Sequence, residues 1–347
     1  MIDPVIYSSF RMKILVLGGT RFLGRHLVES ALSHGHTLTL FNRGQTNPEL
    51  FPQVEKLHGD REKDISVLTG KTWDVVIDVN GYVPRAVRQS SQLLADCAAF
   101  YVFVSTVSVY ADYKKLGIDE DHPLATLTDE DAVKIQRADQ VNGANYGALK
   151  ALCEREVTQA FGDHALVVRP GLIVGPHDPS DRFTYWVRRL SQGGDALAPN
   201  TPDMRMQFID ARDLVAWMIC MIDRRQTGVF NVTGPNRAMT FGELLETCIE
   251  VGANKTELIW VDEAFIRAND LAKWEALPLW MPSDAPDYAG FYHIDIDRAV
   301  AADLDFRPLS DTVRDTLAWD RSRGAGELKM GLSREREEKF LALVKNE

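Results

Sequence analysis

KILVLGGTRFLG, residues Lys13 to Gly24, decides how the rest of the chain is read. Lys13 to Leu17 is almost wholly apolar, as expected of a strand covered on both faces. Two glycines interrupt it. Leu27, Val28, Ala31 and Leu32 then recur at helical spacing, up to Gly35 in the position of a helix-ending glycine. Strand, glycine turn and amphipathic helix in this order open a βαβ unit. The small residues of the turn and the free N–H groups of the helix start suit a pyrophosphate. Gly18, Gly19, Thr20, Arg21, Phe22, Leu23 and Gly24 are therefore candidate dinucleotide-binding residues, although Arg21 stands where the three-glycine motif has its middle glycine.

The same grammar continues outward. Strands are expected at Thr37 to Phe41, Val54 to Leu57, Trp73 to Val79, Phe100 to Val109 and Ala165 to Arg169, with helices at Arg85 to Ala98 and about Gly143 to Phe161. Strands alternating with helices at this pitch imply a Rossmann-type α/β fold: a doubly wound parallel sheet, with a smaller, mostly helical C-terminal substrate lobe. The expected division is an N-terminal extension over 1–11, a dinucleotide-binding domain over 12–174 plus 207–235, and the lobe over 175–206 plus 236–347. The acidic, aperiodic stretch 111–140 reads as a surface insertion placed to act as a lid. The charged helix from about Ser333 is expected on the surface.

The chain has 347 residues, 45% hydrophobic and 26% charged, enough to bury a sizeable core. A net charge of −11 argues against nucleic acid and against anionic membranes as partners. The longest uncharged stretch, Cys97 to Ala111, is shorter than the roughly 20 residues of a membrane-spanning helix. Four dispersed cysteines read as buried free thiols of a cytoplasmic protein, and no metal-ligand spacing occurs.

The end of the second strand, Phe41-Asn42-Arg43, carries no carboxylate of the kind that bonds the ribose 2′-OH of NAD. Asn42 does not repel a 2′-phosphate, and Arg43 and Arg21 are suited to pair with one, which favours NADP over NAD. Asp60, after the third strand, is a candidate for the adenine amino group or a plain loop carboxylate. Tyr146-Gly-Ala-Leu-Lys150 places a phenol and an ammonium four apart on one helical face. A neighbouring ammonium favours the phenolate, so the pair is expected to exchange a proton with an alcohol or carbonyl. Hydroxyls at the end of the fifth strand, Ser105, Thr106 and Ser108, point toward the crevice of a parallel sheet. His177, Asp178, Arg182 and Trp186, after the sixth strand, are candidates for a substrate pocket.

The GGTRFLG turn, Asp60, the STVSVY strand end, YGALK, Arg169-Pro170, Gly175-Pro176, QFIDARDL (Gln207 to Leu214) and Phe230-Asn231-Val232 occur in an order that resembles extended or atypical short-chain dehydrogenases/reductases of the NAD-dependent epimerase/dehydratase family. Within it, the GGTRF-type turn is similar to that of chloroplast stem-loop RNA-binding proteins and their bacterial relatives. The resemblance implies Tyr146 as general acid/base, Lys150 bonding the nicotinamide ribose and lowering the tyrosine pKa, and Thr106 polarising the substrate carbonyl, with Ser105 and Ser108 auxiliary. It also implies a homodimer and a small-molecule substrate. Leu172 replaces the asparagine, and Met206 the arginine, of the family's nucleotide-sugar enzymes. Both changes weaken a UDP-sugar reading. A dinucleotide-binding, RNA-associated or regulatory protein with little turnover is the alternative.

Overall fold

The computed structural model describes residues 11–324 and 326–346, so nearly all of the expected N-terminal extension lies outside the described residues. In chain order the elements are β1 (Lys13–Leu17), α1 (Phe22–Ser33), β2 (Thr37–Asn42), β3 (Glu55–His58), β4 (Val75–Asp78), α2 (Pro84–Ala95), β5 (Tyr101–Val104), α3 (Asp129–Lys134), α4 (Tyr146–Phe161), β6 (Ala165–Pro170), β7 (Ile173–Val174), α5 (Arg182–Leu190), β8 (Gly194–Pro199), β9 (Ile209–Asp210), α6 (Ala211–Asp223), β10 (Gly228–Val232), α7 (Phe241–Gly252), β11 (Thr256–Val261), α8 (Glu263–Ala268), α9 (Asp297–Ala301), α10 (Leu309–Ser322) and α11 (Arg334–Asn346). Seven strands form a parallel sheet in the order β10-β6-β5-β4-β1-β2-β3. This is the Rossmann-type α/β fold expected from the sequence.

Alternation along the central strands explains the two-sided cover. Ile14 and Val16 of β1 face a core shared with α1 and α6, while Leu15 and Leu17 face one shared with α2 and α4. The strand order turns between β4 and β1, and a crevice opens there beyond the carboxyl ends of the strands. A second core gathers residues of α5, β8, α7, α10 and α11, centred on Trp186, Phe183 and Phe241.

Three local expectations are corrected. The fifth strand stops at Val104, because the Thr106 side chain caps a 3-10 turn over Val107–Val109 by accepting the Ser108 N–H. The last helix is not simply a surface helix. Its Glu337 is buried, accepting from the Arg189 side chain and from Leu197 N at 3.1 Å, and its Leu341 is buried as well. The insertion is anchored rather than wholly external: Ile118 is buried, and Glu120 accepts the Asn231 N–H at 2.8 Å. Of the four free cysteines, Cys153 and Cys248 are buried, while Cys97 and Cys220 are half-buried. No described helix is long and apolar enough to cross a membrane.

Candidate active site

The crevice has a volume of about 710 Å³. Its floor is the turn Gly18–Gly24. Gly18 and Gly19 have φ of 117° and 101°, a region that side chains avoid. A Cβ on Gly24 would lie 2.9 Å from Gly19 Cα and N, so the close seat of α1 against the turn requires glycine there. Arg21, in extended conformation just before α1, is exposed and lines the crevice. Asn42 serves the backbone, donating to Gly18 O at 3.2 Å and accepting from Gly44 N at 2.8 Å. Arg43 is exposed on the crevice wall, and no acidic side chain stands at the end of β2. Asp60 lines the same cavity, its Oδ1 accepting the Glu62 N–H at 3.1 Å.

Tyr146 and Lys150 meet this crevice from α4, together with Ser105. Gly147 lets the helix start so close to the turn after β5, since a Cβ there would lie 2.0 Å from Ser108 O. The Ser105 hydroxyl is buried and has no hydrogen-bond partner. An orphaned hydroxyl beside a glycine cradle fits a polar ligand such as a dinucleotide. Thr106 is buried and donates to Ser108 Oγ at 3.2 Å. Neither Thr106 nor Ser108 is among the cavity-lining residues.

The electrostatics differ from the expectation. Burial pushes the Tyr146 phenol up to about 12, with hydrogen bonding to Thr106 opposing it. Lys150 has only 3% of its surface exposed, and burial pushes it down to about 8. Its Nζ donates to Gly81 O and Val104 O, both at 2.7 Å, and lies 4.1 Å from the centre of the Phe103 ring. The ammonium is thus committed to backbone carbonyls, and it does not make the phenol acidic here. The expected lowering of the tyrosine pKa is not what this geometry produces, because burial of the phenol, reinforced by Tyr82, pushes it upward.

The substrate-side candidates separate. Trp186 is fully buried in the second core, its indole N–H donating to Pro278 O at 2.6 Å, and is withdrawn as a pocket residue. His177 and Asp178 line a smaller adjoining cavity of about 230 Å³ with Arg21 and Trp319. Burial pushes His177 down to about 4. Arg182 donates to Ile173 O at 3.0 Å, and Ile173 lines the main crevice.

Several crevice residues escaped the sequence reading. Arg61 lines the crevice and is buried, forming a two-pronged pair with the fully buried Asp78 at 2.7 and 2.8 Å. Tyr101 Oη and Asn80 N also donate to Asp78, each at 3.0 Å. Burial would raise the Asp78 carboxyl, but the Arg61 guanidinium overrides it and holds it below the usual range. Tyr82, Glu62, Ala138 and Val141 also line the walls. An arginine directly after Asp60 and an aspartate inside an apolar strand were the available signals.

A parallel sheet wound both ways around a glycine-floored crevice defines a Rossmann-type α/β protein. The family model for the NAD dependent epimerase/dehydratase family matches residues 14–233, and the chain belongs to that family. It is 26% identical to the chloroplast stem-loop binding protein of 41 kDa b of Arabidopsis thaliana, over 71% of this chain and 65% of that protein. It is also 26% identical to the UDP-glucose 4-epimerase of Lactobacillus helveticus, over 40% of this chain and 51% of the enzyme. The chain thus spans about two thirds of the first relative and half of the second. Among solved structures it resembles the UDP-N-acetylglucosamine 4-epimerase of Bacillus cereus, with TM-score 0.64 and 17% identity, covering 92% of this chain and all (100%) of that one. It likewise resembles the Bordetella bronchiseptica enzyme WbmH in complex with NAD+, with TM-score 0.65 and 17% identity, covering 91% and 100%.

Proposed function

We propose that the protein is an NADP- or NAD-dependent oxidoreductase acting at a carbonyl or alcohol carbon of a small molecule, with Tyr146 as its general acid/base. The observation that carries this reading is that Tyr146 and Lys150 line the same crevice as the Gly18–Gly24 turn. The dinucleotide would supply the hydride chemistry, seated by Gly18, Gly19, Thr20, Phe22, Leu23, Gly24, Asp60 and Ser105. Tyr146 Oη, protonated at neutral pH, gives its proton to the substrate oxygen. Thr106, which the resemblance assigns to the substrate carbonyl, lies behind the crevice wall and bonds Tyr146, so it would assist the same oxygen through the phenol. Lys150, held by Gly81 O and Val104 O, has one N–H left for a ligand hydroxyl. Net reduction, epimerisation and dehydration all use these parts.

NADP is the favoured cofactor, because Arg43 and Arg21 are exposed on the crevice wall beside a strand end without a carboxylate. We assign the second core to the substrate lobe, and expect a cytoplasmic homodimer. The test is to purify the protein with its retained cofactor, identify that cofactor by mass, and titrate NADP+ and NAD+ in turn. Retention of neither overturns the reading.

The likeness to a stem-loop binding protein favours one second reading: a dinucleotide-binding, RNA-associated protein with little turnover. A salt-dependent shift of a stem-loop RNA, without oxidoreductase turnover, would select it.

A further inference from the structure

The insertion between β5 and α4 does not simply pass over the surface. Its last part, residues 136–145, contributes Ala138 and Val141 to the crevice wall. At one end it is fastened beside Asp60: the Ala138 N–H donates to Glu62 Oε1 at 2.8 Å, and Arg85 Nη2 donates to Gln136 O at 3.3 Å and to Glu62 O at 2.9 Å. Ala138 and Val141 thus share one cavity with the glycine turn. At its other end the segment runs without a break into α4, whose first residue is Tyr146. Hydrogen bonds hold the junction together. Asn142 O accepts the Tyr146 N–H at 2.9 Å, Asn145 Oδ1 accepts the Asn142 N–H at 2.8 Å, and Asn145 Nδ2 donates to Gln140 O at 3.2 Å. The Gln140 side chain closes the turn on itself by accepting from Gln136 N and Arg137 N at 2.8 and 3.0 Å.

We propose that residues 136–145 form a strap closing the dinucleotide crevice, and that Glu62 and Arg85 are positioning residues that latch it and thereby fix Tyr146. The proposal rests on the dinucleotide reading given above. While the latch holds, Ala138 and Val141 stay in the crevice wall and slow the departure of a bound dinucleotide, and an opened latch frees the segment that sets the start of α4. The latch consists of side chains at the surface bonded to backbone groups, so it opens without unfolding the sheet.

The test compares Glu62→Ala with Glu62→Gln, which keeps an acceptor oxygen for the Ala138 N–H. Release of NADP+ and of NAD+ is followed by stopped flow, and amide exchange of the 136–141 peptide is measured without nucleotide. Loss of a hydrogen bond to a carboxylate predicts roughly tenfold faster release and faster exchange for Glu62→Ala, with Glu62→Gln close to wild type. Arg85→Ala should act in the same direction. Circular dichroism and melting unchanged from wild type would show that the fold is intact. If the wild type binds a dinucleotide but Glu62→Ala releases it at the wild-type rate, the strap is refuted while the functional reading stands. If the wild type binds neither dinucleotide, both fall. Equal loss in Glu62→Gln and Glu62→Ala would also overturn the latch, since it would point to charge and not to the acceptor.

Discussion

Lys150 donates to the Gly81 carbonyl oxygen over 2.7 Å, and that bond ties the second turn of α4 to the loop after β4. With Val104 O it holds a buried ammonium in place before any ligand arrives. The lysine therefore has a structural task as well as the proposed catalytic one, and its titration is linked to folding.

Folding pulls the Lys150 pKa down from 10.5 to about 8. Between those values the unfolded chain binds more protons than the folded one, so stability gains with rising pH. Lys150→Met lacks this linkage. The stability of wild type relative to Lys150→Met should be level below about pH 8 and rise by up to about 3 kcal/mol toward pH 10.5. Paired urea titrations across this range measure it, and parallel curves would contradict it.

Tyr146→Phe should keep dinucleotide binding and lose at least about a hundredfold in turnover once a substrate is known. With the phenol near 12, the protonated form dominates at neutral pH. Carbonyl reduction should be nearly flat through neutral pH, whereas alcohol oxidation should climb with pH as phenolate accumulates. Steady-state rates in both directions from pH 6 to about 10 test this sign.

Gly147→Ala should be far costlier than a helical glycine-to-alanine exchange, which ordinarily stabilises. The new Cβ would sit 2.0 Å from Ser108 O, a backbone atom, so α4 must shift. Overpacking of this kind costs about 1–3 kcal/mol, and Tyr146 would move with the helix. Melting and turnover should fall together.

Arg61→Met should destabilise by about 3–5 kcal/mol, because it strands the Asp78 carboxylate in the core. The wild-type pair is at full strength above the ordinary carboxylate range and weakens as pH falls through the lowered Asp78 value. Arg61→Met together with Asp78→Leu should recover much of the loss, which a double-mutant cycle would reveal.

Arg43→Ala should weaken NADP+ binding and leave NAD+ binding nearly unchanged, since only the former has a 2′-phosphate for an exposed guanidinium. Equal effects on both would return Arg43 to an ordinary turn residue.

The sequence alone determined six of the seven strands of the sheet, the glycine turn and the YGALK helix, because each is written in neighbouring residues: apolar runs of strand length, glycines at fixed offsets, a four-residue helical spacing. Only the tertiary structure decided what those groups do to one another. Lys150 finds its acceptors 69 and 46 residues away, Glu62 meets Ala138 across 76 residues, and Trp186 turns inward to Pro278 across 92. Periodicity carries no information about such pairings. They follow from how separate elements pack, and packing also set the degree of burial that raised one pKa and lowered the other.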